Sequence, residues 1–214
     1  MNTAVIPVDA SASQRGYLLL LAVAAIGLLA SGISPHDRLT WLLEVVPVII
    51  AVPLLVFTRP RFPFTGLVYV LIAWHAAVLM LGGHYTYAEV PLGNWVRDAL
   101  GQARNNYDRL GHFTQGFVPA MVAREILLRR TPLQRGGWLF FLVTATCLAI
   151  SACYEFIEWW TAVLGGGSAE AFLGTQGDVW DTQWDMFLAL CGAIAAQLLL
   201  ARIHDRALGL ARGA

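Results

Sequence analysis

The chain alternates between long apolar runs and short polar segments, a pattern typical of a membrane protein. Apolar stretches of about 17–25 residues are long enough to cross a bilayer as helices. Six stretches predict transmembrane helices, at about residues 16–33, 41–57, 63–81, 111–128, 137–163 and 185–203. We therefore expect an all-α fold, a polytopic membrane helix bundle that forms a single integral membrane domain over residues 1–214.

Two of these stretches differ from the rest. The first follows a polar leader that contains one arginine, Arg15, and no clean small-x-small cleavage site follows its apolar run. We therefore expect a retained span and not a signal peptide. The fourth stretch is the most polar, since it holds His112, Gln115, Arg124 and Glu125.

The arginines predict the orientation of the bundle, because cytoplasmic loops carry an excess of basic residues. With six spans, both termini and the second and fourth loops share one side. The arginines on that side are Arg15, Arg59, Arg61, Arg124, Arg129, Arg130, Arg135, Arg202, Arg206 and Arg212, and those on the other side are Arg38, Arg97, Arg104 and Arg109. This asymmetry predicts that both termini of the multi-pass protein are cytoplasmic.

Composition supports the membrane assignment and excludes several function classes. Hydrophobic residues make up 57% of the chain and charged residues 13%, about half the share of roughly 25% found in soluble domains. The formal net charge is zero, and no basic run indicates a nucleic-acid partner. Every basic residue is arginine, so the absence of lysine excludes Schiff-base chemistry and a Walker A phosphate loop.

The predicted orientation brings polar residues of several spans into one outer layer. The third and fifth spans run outward and the fourth and sixth run inward, so their polar ends lie together. The residues concerned are His75, Asp108, His112, Glu155, Glu158, Asp178, Asp181 and Asp185. Ionisable side chains at membrane depth are costly to bury and by default indicate a functional site. This convergence is the most informative feature of the sequence.

Three acids, Asp178, Asp181 and Asp185, stand at the start of the last span. If the helix begins that early, they fall within an arc of about 60° on one face. Asp178 and Asp181 are explained equally well as caps that accept backbone N–H bonds. Asp185 lies on the order of 10 Å deeper than Asp178, beyond the first turn, so capping explains it poorly.

Glu155 and Glu158 approach the end of the fifth span, where the helix dipole disfavours anions. A metal ion, a proton or an arginine must therefore compensate their charge. Arg97, Arg104 and Arg109 are expected on the same side of the membrane. A structural ion-pair network between these arginines and the acids is thus one interpretation of the outer layer.

His112 is the stronger of the two candidate histidines. It follows Asp108 at the i,i+4 spacing that places two side chains on one helix face, with Gln115 nearby and glycines on either side that permit close approach. His75, taken alone, is more often a hydrogen-bonded core residue than a ligand.

Several separated motifs carry a family resemblance. "YDRLGHFTQGFVPAMVAREILLRR", "CYEFIEWW" and "AFLGTQGDVWDTQWDMFLALCGAIAA" occur in the order found in YjdF-type inner-membrane proteins, a bacterial family of unknown function that the chain resembles over about residues 35–205. The resemblance implies a small polytopic membrane protein with an outward polar site.

A more distant resemblance is to VanZ-like membrane proteins, which share a D-x-x-x-H opening one span, a late glutamate in the next and a D-x-x-x-D entering the last. In that pattern the final acid is commonly asparagine and the later partner of the glutamate is often glutamine. This chain has Asp185 and Glu158 at those positions, and both departures add carboxylates.

The first functional hypothesis is a metal-dependent enzyme that acts on a lipid or lipid-linked substrate near the outer leaflet. The candidate metal ligands are His112, His75, Glu155, Asp185 and Asp178, and the candidate catalytic acids and bases are Asp181, Glu158 and Asp108. Mixed imidazole and carboxylate ligands suit Zn, Mn or Fe. The sequence has no HExxH motif, and a serine hydrolase is disfavoured because no GxSxG motif occurs.

Two other classes stay open. The histidines and carboxylates would also suit a cation or proton site in a transporter, although no inverted repeat is evident and the polar groups stop in the outer half. A structural or accessory protein with an arginine–carboxylate network is the third class. On the inner side, Glu125 is expected to form a local ion pair with Arg124 and Arg129.

Overall fold

The structure, a computed structural model, describes residues 14–165 and 170–210, and every regular element within these ranges is a helix. The helices are α1 (Gln14–Ser31), α2 (Arg38–Thr58), α3 (Gly66–Tyr85), α4 (Pro91–Leu100), α5 (Tyr107–Arg130), α6 (Gly137–Gly165), α7 (Glu170–Leu173) and α8 (Asp181–Ala207), and a short 3-10 turn, Tyr87–Glu89, follows α3. The expected all-α fold is confirmed. Two parts of the sequence used above lie outside the described residues: the polar leader before residue 14, and Arg212, which was counted in predicting the orientation.

Local signals fix where several helices begin and end. The Asp37 carboxylate accepts the Thr40 N–H at 2.7 Å and caps α2. The Thr65 hydroxyl accepts the Val68 N–H at the start of α3. Such side chains satisfy backbone donors that have no partner within the helix. Gly101 ends α4 in the left-handed conformation, with a φ of 62° that glycine adopts without a steric penalty.

Five of the six predicted spans are confirmed as helices long and apolar enough to cross a membrane, namely α1, α2, α3, α6 and α8. The remaining stretch, the fourth, forms α5, whose 24 residues span about 36 Å. This helix is long enough to cross a membrane but is not apolar enough to count among the five, since buried charged residues such as Asp108, Arg124 and Glu125 lie along it. Within the bundle α5 packs against α3, α6 and α8, and its pairing with α8 is the most extensive.

The bundle has two ends of different character. At one, called the acidic end below, α1, α3 and α6 finish and α2, α5 and α8 begin, and Asp108, Glu155 and Asp185 meet there. At the other, the arginine-rich end, α3 and α6 begin and α2, α5 and α8 finish, and Arg124 and Arg129 lie there. Consecutive long helices therefore run in opposite directions.

Small residues allow α5 and α8 to pack with their backbones in contact. A Cβ atom at Gly116 would collide with the Ala189 carbonyl group, and a Cβ atom at Gly192 would collide with the Phe113 carbonyl oxygen. Each helix therefore has a glycine at the position where it contacts the backbone of the other helix. Close approach through small residues is a common way for membrane helices to associate.

At the arginine-rich end, the fully buried Glu125 carboxylate joins three helices. It accepts the Thr65 N–H and hydroxyl, the latter at 2.8 Å, and a bond from Arg129 Nη1 at 2.7 Å. It also lies 2.9 Å from His204 Nε2. The expected ion pair of Glu125 with Arg129 is confirmed, whereas Arg124 pairs with Asp205 at 2.7 Å instead.

The protonation of His204 follows from its neighbours. Its Nδ1 lies 2.9 Å from Arg124 Nη1, and a guanidinium can only donate. Nδ1 therefore accepts, and Nε2 carries the hydrogen that is donated to Glu125. A neutral His204 thus has both ring nitrogens satisfied, and the two acids, Glu125 and Asp205, are matched by Arg129 and Arg124.

We expect Gly192→Val to destabilise the purified protein, because its side chain would have to displace the backbone of α5. Overpacking costs about 1–3 kcal/mol or more, and each kcal/mol lowers the melting temperature of a chain of this size by roughly 2–4 °C. Thermal unfolding in detergent measures the effect. Gly16→Val in α1 is the matched control, because a Cβ atom at Gly16 meets no atom within 4 Å. Equal melting temperatures for the two variants would contradict the close packing of α5 and α8.

Candidate metal centre

His112 lies at the centre of the acidic end. It belongs to the second turn of α5 and is only 4% exposed. Its Nε2 lies 3.4 Å from Asp108 Oδ1 and 3.8 Å from Asp185 Oδ1. Its Nδ1 lies 3.1 Å from Gln115 Oε1 and 3.8 Å from Glu155 Oε1. The convergence predicted for these residues is therefore found in the structure.

Helical periodicity explains how three helices supply this cluster. Asp108 and His112 are one turn apart on α5, and Glu155 faces them from α6. Asp185 lies in the second turn of α8 and is 2% exposed. The reciprocal glycine packing of α5 and α8 brings Asp185 close to His112 without a long side chain.

Several carboxylate oxygens in this cluster are buried and have no hydrogen-bond partner in the part of the chain that the structure describes. They are Asp108 Oδ2, both oxygens of Glu155, and Asp185 Oδ1. Asp108 Oδ2 lies 3.6 Å from Arg104, and the Thr182 hydroxyl faces Glu155. Buried polar atoms are almost always paired in proteins, so these oxygens indicate that the cluster is completed by a cation or by protons.

The ring of His112 faces only acceptors. Carboxylate oxygens of Asp108 and Asp185 lie near Nε2, and oxygens of Gln115 and Glu155 lie near Nδ1. A neutral imidazole carries one N–H and would leave one nitrogen lone pair facing oxygen lone pairs. Three arrangements satisfy the ring: an imidazolium, a neutral imidazole that accepts a hydrogen bond from a protonated carboxyl group, or a neutral imidazole that binds a metal ion through one nitrogen.

Two groups of side chains have the spacing of a metal site, and both include His112. One is Asp108, His112 and Asp185, and the other is His112, Glu155 and Glu158; within each group, the ligand atoms lie within 4.8 Å of one another. Imidazole with carboxylates is a donor set that Zn, Mn and Fe accept. Three protein ligands leave a coordination position for water or substrate, as in catalytic zinc sites.

Arg104 neutralises the rim of the cluster. It donates to Asp181 at 2.6 Å and to Asp178 at 3.4 Å, and Arg109 donates to Asp178 at 3.0 Å. Burial opposes the charge of Arg104, but Asp181 raises the pKa of this guanidinium above its ordinary value. The Trp180 N–H, and then the two arginines, lower the pKa of Asp178.

The structure corrects two expectations about these rim residues. The helix α8 begins at Asp181 and its N-cap residue is Trp180, so Asp178 lies in the preceding loop and does not share the helical face. Neither acid is the N-cap residue. Of the three arginines expected to pair with the acids, Arg104 and Arg109 do so, whereas Arg97 pairs with its exposed neighbour Asp98.

His75 and Asp178, two of the expected metal ligands, belong to neither group of potential ligands. Asp178 is held by the arginines. His75 lines a cavity next to His112, and its buried Nε2 has no hydrogen-bond partner among the described residues.

Sequence reasoning missed one acid of this region, Glu44 in α2. It is 2% exposed, lies 3.4 Å from the Tyr154 hydroxyl, and also faces Tyr87. The signal was present, because Glu44 is an acid within an otherwise apolar span. Its place beside Tyr154 depends on how α2 and α6 are rotated in the bundle, which periodicity alone does not give.

An apolar cavity of about 560 Å³ reaches from the cluster towards the arginine-rich end. His75, His112, Gln115 and Tyr154 line its acidic end, and Phe62 lines the opposite end. The volume lies within the range of about 300–1,000 Å³ typical of small-molecule sites. His112 therefore connects the two features: it belongs to both groups of candidate metal ligands and lines the polar end of the apolar cavity.

Comparison with known proteins is consistent with this fold. Residues 16–206 match the family described as "Predicted membrane protein (DUF2238)". The chain is 58% identical over 181 residues to the inner membrane protein YjdF of Escherichia coli (strain K12). The aligned region covers 85% of this chain and 87% of that protein. No solved structure matches the chain.

The YjdF-type resemblance is thereby confirmed, as is a location in the inner membrane, while the comparisons give no support to the VanZ-like resemblance. With the family match covering most of its length, the chain belongs to the predicted membrane protein family DUF2238.

Proposed function

We propose that this protein is a metal-dependent membrane enzyme that acts on a lipid or lipid-linked substrate. The observation that carries the proposal is the set of buried carboxylate oxygens around His112 that have no hydrogen-bond partner among the described residues, together with the position of His112 at the polar end of an apolar cavity. A divalent cation would neutralise these oxygens and would lie where an apolar substrate presents its polar group.

The two nitrogens of His112 suggest where the ion binds. A metal-bound histidine usually donates its other N–H to a neighbouring acceptor, which fixes the ring. Gln115 Oε1, 3.1 Å from Nδ1, is such an acceptor. The ion would then bind Nε2 together with Asp108 and Asp185, as in the first of the two groups.

Glu158 is the favoured general base in this arrangement. A metal ion lowers the pKa of bound water and makes it a nucleophile near neutral pH. Asp181 and Glu158 are the remaining acids expected to take the proton. Asp181 is bound to the Arg104 guanidinium at 2.6 Å, which makes it the weaker base of the two.

The other two classes of function account for less of this geometry. The arginine–carboxylate network of a structural protein explains Asp178 and Asp181, but it does not provide hydrogen-bond partners for the buried oxygens of Glu155 and Asp185 within the part of the chain that the structure describes. A proton path would have to connect His112 with Glu125, about 20 Å further along α5. The cavity between them is lined mainly by apolar side chains.

The proposal includes a topology with six spans, in which α5 crosses the membrane among the other helices of a single integral membrane domain. Both termini are then cytoplasmic, and the acidic end lies in the outer half of the bilayer. The arginines support this orientation, since ten of the fourteen fall on the side of the termini.

The metal site is tested by elemental analysis of protein purified without chelators and loaded with Zn, Mn or Fe. We expect His112→Ala and Asp185→Asn each to lower the metal-to-protein ratio at least tenfold, because each removes a ligand. Asp98→Asn is the matched control, since Asp98 is an exposed acid that pairs only with Arg97 among the described residues.

Thermal unfolding of the same variants separates a metal site from a structural network. With a chelator present, Asp185→Asn should melt at the same or a higher temperature than the wild type, because it removes an unpaired buried charge. Added metal should then stabilise only the wild type and Asp98→Asn. Metal-free wild-type protein, with variants that only lose stability, would refute the proposal.

Topology is tested with a fluorescent reporter that matures only in the cytoplasm, fused separately to each terminus and to the chain truncated after Gly101. We expect fluorescence from both terminal fusions and none from the fusion at Gly101, because six spans return the chain to its starting side. If α5 did not cross the membrane, the two terminal fusions would give opposite results.

A further inference from the structure

The cavity next to His112 has the length of an extended hydrocarbon chain. Its lining on α5 runs from His112 through Val122 and Ile126 to Arg130, a distance of about 27 Å along the helix. An apolar cavity of this length suits a long-chain lipid better than a compact ligand.

The walls of the cavity are chemically uniform. Its long sides are built by apolar residues of α1, α2, α3 and α5, such as Leu20, Ala51, Ile72 and Val122. Aliphatic and aromatic surface of this kind favours hydrocarbon and offers a polar group no partner. An occupant therefore has one long apolar part and carries its polar group at an end.

The acidic end provides the partners for that polar group. The His75 ring lines the cavity, and its Nε2 has no hydrogen-bond partner among the described residues. Because the Gln115 carbonyl oxygen faces His112 Nδ1, its amide nitrogen is left available for a ligand. The surrounding carboxylates repel a negatively charged group, so the expected partner is an uncharged oxygen, as in an alcohol or an ester.

We infer that the substrate is an amphiphile that has a hydrocarbon chain in the cavity along α5 and an uncharged oxygen group between His75 and Gln115. The inference rests on the proposed function, since the reaction at His112 requires the polar group at the acidic end. His75, expected from the sequence to be a metal ligand, is then a positioning residue for the substrate.

The test uses a saturated fatty alcohol with a photoreactive diazirine at the end of its chain, added to the full-length protein in detergent. After irradiation, mass spectrometry identifies the labelled peptides. We expect labelling near Thr58 and Phe62, at the far end of the cavity. A labelled site beside His112 or Tyr154 would show the opposite orientation, with the polar group at the arginine-rich end, and would overturn the inference.

Matched variants on α2 show whether the label enters the cavity. Ala51 lines it, whereas its neighbour Ile50 is 60% exposed on the outer face of the bundle. Ala51→Trp should reduce labelling at least fivefold, and Ile50→Trp should leave it unchanged. Ala73→Phe on α3 repeats the test at a second lining position if Ala51→Trp does not fold. Equal labelling of all variants would contradict a binding site within the cavity.

Two further variants separate this inference from the proposed function. His75→Leu should lower labelling at least fivefold and keep the bound metal, because it affects only the substrate. Glu155→Gln should keep the labelling, even where it weakens metal binding. Protein that binds metal but does not take up the probe would refute the inference alone, and protein that takes up the probe but binds no metal would refute the proposed enzyme alone.

Discussion

The structure depends on enclosing one polar helix within apolar ones. The helix α5 carries His112, Arg124, Glu125 and Arg129 on a segment long enough to cross a membrane, and hydrocarbon cannot satisfy such groups. The surrounding helices must therefore supply the partners, and α8 does so at both of its ends. Gly116 and its counterpart on α8 allow the two backbones to touch, so short acidic side chains are sufficient to reach across.

The two ends of α5 satisfy this requirement differently. At the arginine-rich end, Glu125 has four hydrogen-bonding interactions, and His204 is satisfied as a neutral ring. Donors and acceptors match there, which is the behaviour of a structural network. At the acidic end, both oxygens of Glu155 and Asp185 Oδ1 are buried and have no hydrogen-bond partner among the described residues. Both ends are rich in charge, and the proposed site lies at the end where carboxylate oxygens lack such partners.

The sequence predicted the helices, because the lengths of the apolar runs match membrane-spanning segments. It also predicted that His112 meets acids from three helices, because the arginine bias assigned the polar ends of these segments to the same side. It did not predict which arginine pairs with which acid. Arg97 ends up beside Asp98 because α4 stops at Gly101, while Arg104 follows in the loop and reaches Asp181. Helix rotation and loop conformation decide such contacts, and neither follows from spacing. The same limit explains why Glu44 was missed.

Charge balance gives the strongest constraint on what completes the acidic end. Among the described residues, seven carboxylates gather there, those of Glu44, Asp108, Glu155, Glu158, Asp178, Asp181 and Asp185, against the two cations Arg104 and Arg109. Even an imidazolium at His112 leaves four negative charges. A divalent cation balances two of them and protons balance the others, or protons balance all four. Metal ions and protons compete for the same oxygens. Metal bound here would therefore be held more tightly as the pH rises, since each carboxylate must lose its proton before it can act as a ligand.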